Sequence, residues 1–470
     1  MSIDLSLTRL LQLLPHLPYT RPTLHIAGTN GKGSVSALLT SILLATPTSP
    51  SHPAPLRIGR FNSPHLLSVL DSITLSNVPV LDADRAQGTK LTNFEVLTMA
   101  ALRVFENEKV DIVVLEVGMG GRLDATNVIP DESVLVSALT AVDLDHQMFL
   151  GATVGLIAKE KAGIARKGRS FVLGRQSHAE VKEVVKAAVE SVGGTLVPAL
   201  EVKPGEGAVR WSILELNPDS ADVTPPPQPV VVTLKSFPDT PLRASLPLHG
   251  AHQLDNLGTA LGVIDSLLSS SLPLATALNL KGRISLDSIA QGIAATRWPG
   301  RLSFHTLSVP LQDGHQKKLV VLADGAHNPA SAETLGAYIT HLLSLSQSST
   351  SSPLTTTVPI TYILALSHSP PKTPLQTLSP ILPPTLPHPP PPLPLLLPLH
   401  GMPWIKSVPP TELKAVVQSL VPHLGEGGDV WVASEDISSL EDALKREGMV
   451  VLAGSLYLVA DFYRLLERGL

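Results

Sequence analysis

His25-Ile-Ala-Gly-Thr-Asn-Gly-Lys-Gly-Ser34 decides the reading of this chain. The apolar run Thr23–Ala27 enters a turn with glycines at 28, 31 and 33, and a helical pattern opens at Ser34. Glycines at that spacing let successive backbone N–H groups turn toward one point, and the helix N-terminus behind them adds partial positive charge. Lys32 adds a full charge suited to the β- and γ-phosphates of a nucleotide. Strand, loop and helix in that order are the context a phosphate-binding loop requires. One position departs from the common form: Gly33 follows the lysine where a magnesium-binding Ser or Thr usually stands, and Ser34 comes one later. The metal hydroxyl then has to come from elsewhere. Read blandly, the same residues would be a Gly-rich turn carrying a solvated lysine.

Outward from this loop, apolar runs alternate with helical patterns. Strands are expected at Thr23–Ala27, Leu56–Arg60, Ile112–Val117, Val134–Leu139 and Phe171–Leu173, with helices at Ser34–Leu44, Phe94–Asn107 and Ala179–Val192. Runs rich in Val, Ile and Leu without strict alternation predict strands covered on both faces, hence a mostly parallel sheet. A second series follows Pro299-Gly300: strands at Lys318–Ala323, Ile360–Leu366, Val430–Ala433 and Met449–Ala453, and helices at Ser331–Ser344, Thr411–Val421, Ile437–Arg446 and Tyr457–Arg468. The fold class is therefore α/β, with a catalytic domain over 1–299 and a smaller Rossmann-like domain over 300–470. Two proline-rich segments interrupt the pattern. Pro225–Pro229 is expected in a polar loop. Pro371–His400 holds twelve of the 43 prolines and reads as an extended surface loop or insertion, since proline can neither donate to a strand ladder nor continue a helix.

Composition removes several classes. At 470 residues the chain is too long for one ordinary core. It has no cysteine, which excludes a disulfide scaffold, a Cys-ligated zinc or iron–sulfur site and a thiol enzyme. Thirty-five basic against 40 acidic side chains, net −5, argue against a nucleic-acid binder. The start, Met1-Ser-Ile-Asp-Leu-Ser-Leu, has neither a basic n-region nor an Arg-rich transit pattern, and apolar stretches break before a membrane span's length. A cytoplasmic protein, probing small molecules rather than a membrane or nucleic acid and working as a monomer, is the expectation.

Further segments carry a resemblance. Phe61-Asn-Ser-Pro-His65, Leu115-Glu-Val-Gly-Met-Gly-Gly-Arg-Leu-Asp-Ala-Thr-Asn127, Asp145-His146, Lys159-Glu-Lys-Ala-Gly163, Pro299-Gly-Arg301 and Asp324-Gly-Ala-His-Asn-Pro329 appear in one order along the chain. Together with the loop they resemble the dihydrofolate synthase/folylpolyglutamate synthase family of the Mur ligase superfamily. Gly401–Ile405 and Gly454–Tyr457 look most like its fungal dihydrofolate synthetases. The proline-rich His388–His400 departs from the pattern, since relatives carry an ordinary strand there; either Leu393–Leu399 forms a distorted edge strand or the chain detours. The resemblance implies an N-terminal P-loop ATPase domain and a reaction in which ATP phosphorylates the carboxylate of dihydropteroate before the amine of L-glutamate displaces phosphate. The alternative is folylpolyglutamate synthase, adding glutamate to a folate that already carries it (tetrahydrofolate), or an enzyme that does both; a non-catalytic nucleotide-binding scaffold is the reading of another class.

The resemblance also implies roles. Gly28, Thr29, Asn30, Gly31, Lys32, Gly33 and Ser34 would hold ATP, helped by Asn256, which opens the helix pattern Asn256–Leu268, by Arg301 at the domain junction and by Asp324. Ser63 and Glu116 would bind a first Mg²⁺, and Ser63 would replace the hydroxyl missing at Gly33. Glu116 ends an apolar strand, where a carboxylate is costly unless paired or metal-bound. His146 would bind a second Mg²⁺. Lys161 matches a lysine that is carbamylated in many relatives, although its charged run Lys159-Glu160-Lys161 alone reads as an exposed surface. Lys32, Lys161, His146 and Arg301 make the catalytic set. Thr92, Leu123, Asp124 and Ala125 would contact the pterin, as would Ile3, Asp4 and Leu5, which otherwise read as a helix start. His327, with Asn328, would face glutamate or phosphate.

Overall fold

A computed structural model describes residues 6–48, 53–79, 91–207, 224–310, 316–348, 360–368, 372–382, 392–396, 406–421, 430–432, 440–441, 444 and 449–468. The chain forms two compact units, Met1–Gly207 with Gln228–Pro247 and Ala251–Arg297, and Ala208–Pro227 with Leu248–Gly250 and Trp298–Leu470.

The larger unit is built on strands β1 (Thr23–Ala27), β2 (Ile58–Phe61), β3 (Ile73–Leu75), β4 (Val78–Pro79), β5 (Ile112–Glu116), β6 (Val134–Leu139), β7 (Ser170–Leu173) and β8 (Thr195–Pro198). Their order is β4-β3-β2-β5-β1-β6-β7-β8. Pairings from β2 through β8 are parallel, and β3 and β4 continue the sheet antiparallel. Each residue of β1, β5 and β6 is buried, as covered parallel strands require. β1 lies between β5 and β6, so the chain leaves it at a switch point of the sheet, where ligand crevices form at carboxyl ends.

Helix Lys32–Leu44 runs directly out of the loop, and Ser34 through Leu43 are all buried. A helix apolar or small on every side must be covered on every side. Helix Leu286–Ala295 supplies one cover: a Cβ at Gly292 would stand 2.4 Å from Ile42 Cα, so only glycine permits that approach. Helix Asn93–Asn107 starts with a capping box, Glu95 N–H to Thr92 Oγ1 at 3.2 Å and Thr92 N–H to Glu95 Oε2 at 2.7 Å. It buries Met99, Leu102 and Phe105 against the sheet side that carries Phe61 and Val113.

A small antiparallel sheet, order β11-β10-β9, was not anticipated; its strands are β9 (Lys203–Pro204), β10 (Gln228–Val232) and β11 (Leu242–Leu246). The loop expected at Pro225–Pro229 is present through Pro227, and its end is corrected: Gln228 and Pro229 pair with Leu246 and Ser245. Val230 and Val232 alternate inward and supply the burial that outweighs the proline.

The smaller unit carries β12 (Ser303–Pro310), β13 (Gln316–Ala323), β14 (Ile360–Leu364), β15 (Pro392–Leu396), β16 (Trp431–Val432) and β17 (Met449–Ala453), in the order β12-β13-β17-β14-β15-β16. Only β12 runs antiparallel, and the sequence pattern missed it because His305, Thr306 and Ser308 dilute its apolar signal. The proline-rich segment is not simply a surface loop. Thr373 caps helix Pro374–Leu378, Leu378, Ile381 and Leu382 are fully buried, and β15 pairs with β14 and with β16. Proline at the first helical position loses no hydrogen bond. Pro392 and Pro394 are two apart, so both missing donors face one side of the strand and the other side keeps its ladder. The helix expected at Ile437–Arg446 falls largely outside the described residues, as do Gly401–Ile405. No single helix among the described residues is long and apolar enough to cross a membrane.

Candidate functional site

The loop is fixed from behind by the segment after β6. Thr29 and Asn30 N–H both donate to Ala141 O, at 2.8 and 3.3 Å. Thr29 Oγ1 donates to Asp143 O and accepts from Asp143 N–H, both at 3.1 Å. Thr140 Oγ1 donates to Asn30 O at 2.7 Å. Gly28 has φ +153°, and a Cβ there would overlap Thr140 Oγ1. Thr29 and Asn30 therefore hold the loop's shape with their amides. The amides of Gly31–Ser34 lie at the helix start, where no intrahelical acceptor reaches them. Gly31, at φ +92°, packs on Asn256, where a Cβ would stand 2.2 Å from Oδ1.

Asn256 is not at a helix start: helix His252–Leu268 begins one turn earlier. Its Nδ2 donates to Gln253 Oε1 at 2.9 Å, and Gln253 Nε2 donates to Ser34 Oγ at 3.2 Å. Gln253 is fully buried and was not singled out from the sequence. A lone glutamine carries no pattern; only the helix crossing gives it this place.

Two amines converge on one carbonyl. Lys32 Nζ donates to Gly28 O at 3.1 Å and to Thr29 O at 3.3 Å, and Lys161 Nζ donates to the same Gly28 O at 2.8 Å. Lys161 is 3% exposed, which overturns the exposed surface its charged run suggests. Helix Val154–Ala162 turns Lys159 and Glu160 outward and Lys161 inward. Burial first, then repulsion from Lys32, pull the Lys161 amine down to about 7, against a smaller upward pull from Asp145 and Asp124.

Glu116 ends β5 beside Ile26 of β1 and is 3% exposed. Asn62 Nδ2 donates to its Oε2 at 2.5 Å. Ser63 follows Asn62, two residues beyond the end of β2, and precedes a cis bond to Pro64. Arg60, buried on the same strand, is lowered to about 10 by burial, with Glu116 pulling the other way. His146 adopts a left-handed backbone, φ 51°, and its Nε2 lies 3.8 Å from Asp145 Oδ2. Asp145 itself is 7% exposed. Among the described residues no three His, Asp or Glu side chains gather as a cation site. That sparse donor set fits Mg²⁺, which is commonly held by one or two protein oxygens with phosphate and water.

Asp124 closes the Gly118–Gly121 turn. Its Oδ2 accepts Met119 N–H at 2.8 Å, and its Oδ1 accepts Thr126 N–H at 3.0 Å and Thr126 Oγ1–H at 2.6 Å. Burial raises its carboxyl, and these hydrogen bonds oppose the rise. Ala125 is buried and Leu123 half-buried on either side. Thr92 spends its hydroxyl on the helix cap described above. Ile3, Asp4 and Leu5 lie outside the described residues.

In the smaller unit, Asp324 follows β13, which is the second strand of its sheet rather than the first. Its carboxylate accepts Leu302 N–H at 2.7 Å and Ala326 N–H at 2.8 Å, bracing the turn that carries Arg301. Burial raises its carboxyl and Arg301 opposes that. Arg301 NH1 donates to Gly300 O at 2.8 Å, and its guanidinium packs over Gly325, where a Cβ would stand 2.6 Å from that NH1 and push the side chain aside. His327 Nδ1 is 2.9 Å from Gly325 O. Asn328 caps helix Pro329–Ser348, its Oδ1 accepting Ser331 N–H at 2.9 Å, so its side-chain oxygen serves the fold.

A family model for the dihydrofolate synthetase C-terminal domain matches residues 306–465. The chain is 31% identical to a dihydrofolate synthetase of Saccharomyces cerevisiae, over 99% of this chain and 98% of that protein. It is 32% identical to a probable dihydrofolate synthetase of Schizosaccharomyces pombe, over 99% of each. Among solved structures it is similar to the Mycobacterium tuberculosis folylpolyglutamate synthase complexed with ADP and AMPPCP, with TM-score 0.69 and 25% identity over 98% of this chain and 95% of that one. The phosphate-loop geometry and these full-length likenesses agree: the chain belongs to the dihydrofolate synthase/folylpolyglutamate synthase family of ATP-dependent ligases.

Proposed function

We propose that the chain joins L-glutamate to 7,8-dihydropteroate, consuming ATP and giving dihydrofolate, ADP and phosphate. The observation that carries this reading is the Gly28 carbonyl shared by Lys32 and Lys161, beside the strand end of Glu116. The Lys32 charge at a loop of helix-start amides is suited to bring together two anions, a γ-phosphate and a carboxylate, with the buried Lys161 nitrogen held on the same carbonyl. Gly31–Ser34 amides and Lys32 grip the terminal phosphates, and Thr29, Asn30, Gly28 and Asn256 fix the loop that does so. The carboxylate oxygen attacks the γ-phosphorus, the bond to the β-phosphate oxygen breaks, and ADP leaves. The glutamate amine then attacks the acyl carbon and expels phosphate, with loss of its proton.

Glu116, Ser63 and His146 would hold magnesium at two sites, and the metal would supply charge neutralisation at the transferring phosphoryl group. Lys161 is proposed to be carbamylated. Its neutral amine attacks CO₂, an N–C bond forms and a proton is lost, which turns a cation into an oxygen donor. An amine brought down to about 7 is largely neutral in mildly alkaline buffer, as that chemistry needs. Asp124, Leu123, Ala125 and Thr92 are assigned to the pterin side, Arg301 and Asp324 to the nucleotide and His327 to the glutamate side. The reading includes a cytoplasmic monomer acting on small molecules.

The second reading is folylpolyglutamate synthase, the name carried by the mycobacterial structure. Parallel assays with dihydropteroate and with tetrahydrofolate, each with Mg²⁺, ATP and glutamate, separate the two. Glutamate-dependent product from dihydropteroate is expected; product from tetrahydrofolate alone would reverse the order.

A further inference from the structure

His25 is fully buried in the middle of β1, three residues before Gly28. Its Nε2 lies 2.9 Å from Thr126 Oγ1, which donates to Asp124 Oδ1 at 2.6 Å. Its Nδ1 is buried and has no hydrogen-bond partner among the described residues. Counting protons along this chain fixes the tautomer. Asp124 receives backbone N–H groups on both oxygens, Met119 on Oδ2 and Thr126 on Oδ1, which favours the ionised form against the upward push of burial; an ionised carboxylate only accepts, so the single hydroxyl hydrogen of Thr126 points at Asp124. The Thr126 oxygen can then only accept from His25, so Nε2 carries the ring proton and Nδ1 is bare. Burial, with the nearby Arg166 charge, lowers the imidazole to about 3, so the ring stays neutral where the enzyme works. Packing alone would be served better by an apolar side chain, because a buried nitrogen without a partner is a desolvation cost.

We propose that His25 is a positioning residue: as the Nε2–H tautomer it holds the Thr126 hydroxyl on Asp124 and so sets the Leu123–Ala125 turn relative to the phosphate loop. β1 carries both ends of this arrangement, the His25 ring and, three residues on, the Gly28 turn. The strand thereby ties the pterin-side segment to the nucleotide-side segment through one hydrogen-bonded chain. The inference rests on the proposed assignment of Leu123–Ala125 to the pterin-bearing substrate.

Wild-type protein labelled with ¹⁵N-histidine gives the first test, without any variant. A bare, pyridine-type Nδ1 and a protonated Nε2 are expected for the buried ring; a protonated Nδ1 overturns the proposal. The second test is kinetic. His25→Leu removes the donor and should raise KM for dihydropteroate about tenfold, the weight of one buried hydrogen bond, while KM for ATP stays within about twofold. His25→Gln places an amide donor near the Nε2 position and should recover most of the loss. Thr126→Val, which also removes the hydroxyl's bond to Asp124, should raise that KM at least as much as His25→Leu, and the double variant should add nothing to Thr126→Val. Equal effects of Gln and Leu, or parallel rises in both KM values, overturn the positioning role. Should wild-type enzyme use only tetrahydrofolate, the proposed reaction fails, and the Gln–Leu contrast measured on that substrate still decides His25.

Discussion

Lys161→Met should make the protein more stable and nearly inactive. The wild-type amine is buried, faces Lys32, and is brought from 10.5 to about 7. That fall corresponds to a penalty of about 5 kcal/mol on the ammonium form relative to the unfolded chain. Methionine fills a similar volume without the charge. It forfeits the hydrogen bond to Gly28 O, worth about 1 kcal/mol, but that carbonyl keeps Lys32 at 3.1 Å. A net gain of about 3 kcal/mol is therefore expected at pH 7 in CO₂-free buffer. The sign and pH window follow from linkage. The folded pKa is lowered, so the wild-type penalty is absent above 10.5, grows as pH falls from there, and is complete below about 7. The variant's advantage should shrink as pH rises above 7, toward a slope of about 1.4 kcal/mol per pH unit, and fall to about 1 kcal/mol at pH 9. Urea unfolding followed by circular dichroism at pH 7 and pH 9 measures both values. A variant less stable than wild type at pH 7, or a gap that ignores pH, would refute the picture of a desolvated ammonium beside Lys32.

Gly28→Ala places a Cβ on Thr140 Oγ1 and 3.0 Å from Thr140 Cβ, and Thr140 cannot swing away without losing Asn30 O. Binding of a non-hydrolysable ATP analogue, measured by calorimetry, should weaken at least about tenfold, with about 2 kcal/mol lost in stability. Asn328→Ala should cost about 1 kcal/mol in urea unfolding through loss of a helix cap, and Asn328→Asp should keep most of it.

How far the sequence carried can be judged residue by residue. β1 and β6 were legible to the residue because buried parallel strands are continuous apolar runs, and glycines with Lys32 marked the turn between strand and helix. β12 was not, because an antiparallel edge strand with alternating polar residues has no such run. Proline misled at Pro229, where pairing and burial of neighbouring apolar residues outweigh the missing donor; at Pro392 and Pro394 the strand left open for Leu393–Leu399 is present as β15, but between β14 and β16 rather than at an edge. Lys161 showed the limit of charge patterning: Lys159 and Glu160 face solvent and Lys161 does not, a difference of helical phase alone. His25, Thr126, Asn62 and Gln253 were invisible as a set, since their partners lie 101, 54 and 219 residues away along the chain. Such contacts arise only once β1, β5 and the covering helices are packed.

The central claim is that the Gly28–Ser34 loop, through Lys32, delivers a γ-phosphoryl group to a bound carboxylate. Trapping with hydroxylamine tests it most directly: wild-type protein with Mg²⁺, ATP and dihydropteroate, and no glutamate, should yield the pteroyl hydroxamate, and Lys32→Ala should yield none. Hydroxamate formed by Lys32→Ala at near wild-type rate, or none formed by folded wild-type protein, would contradict it.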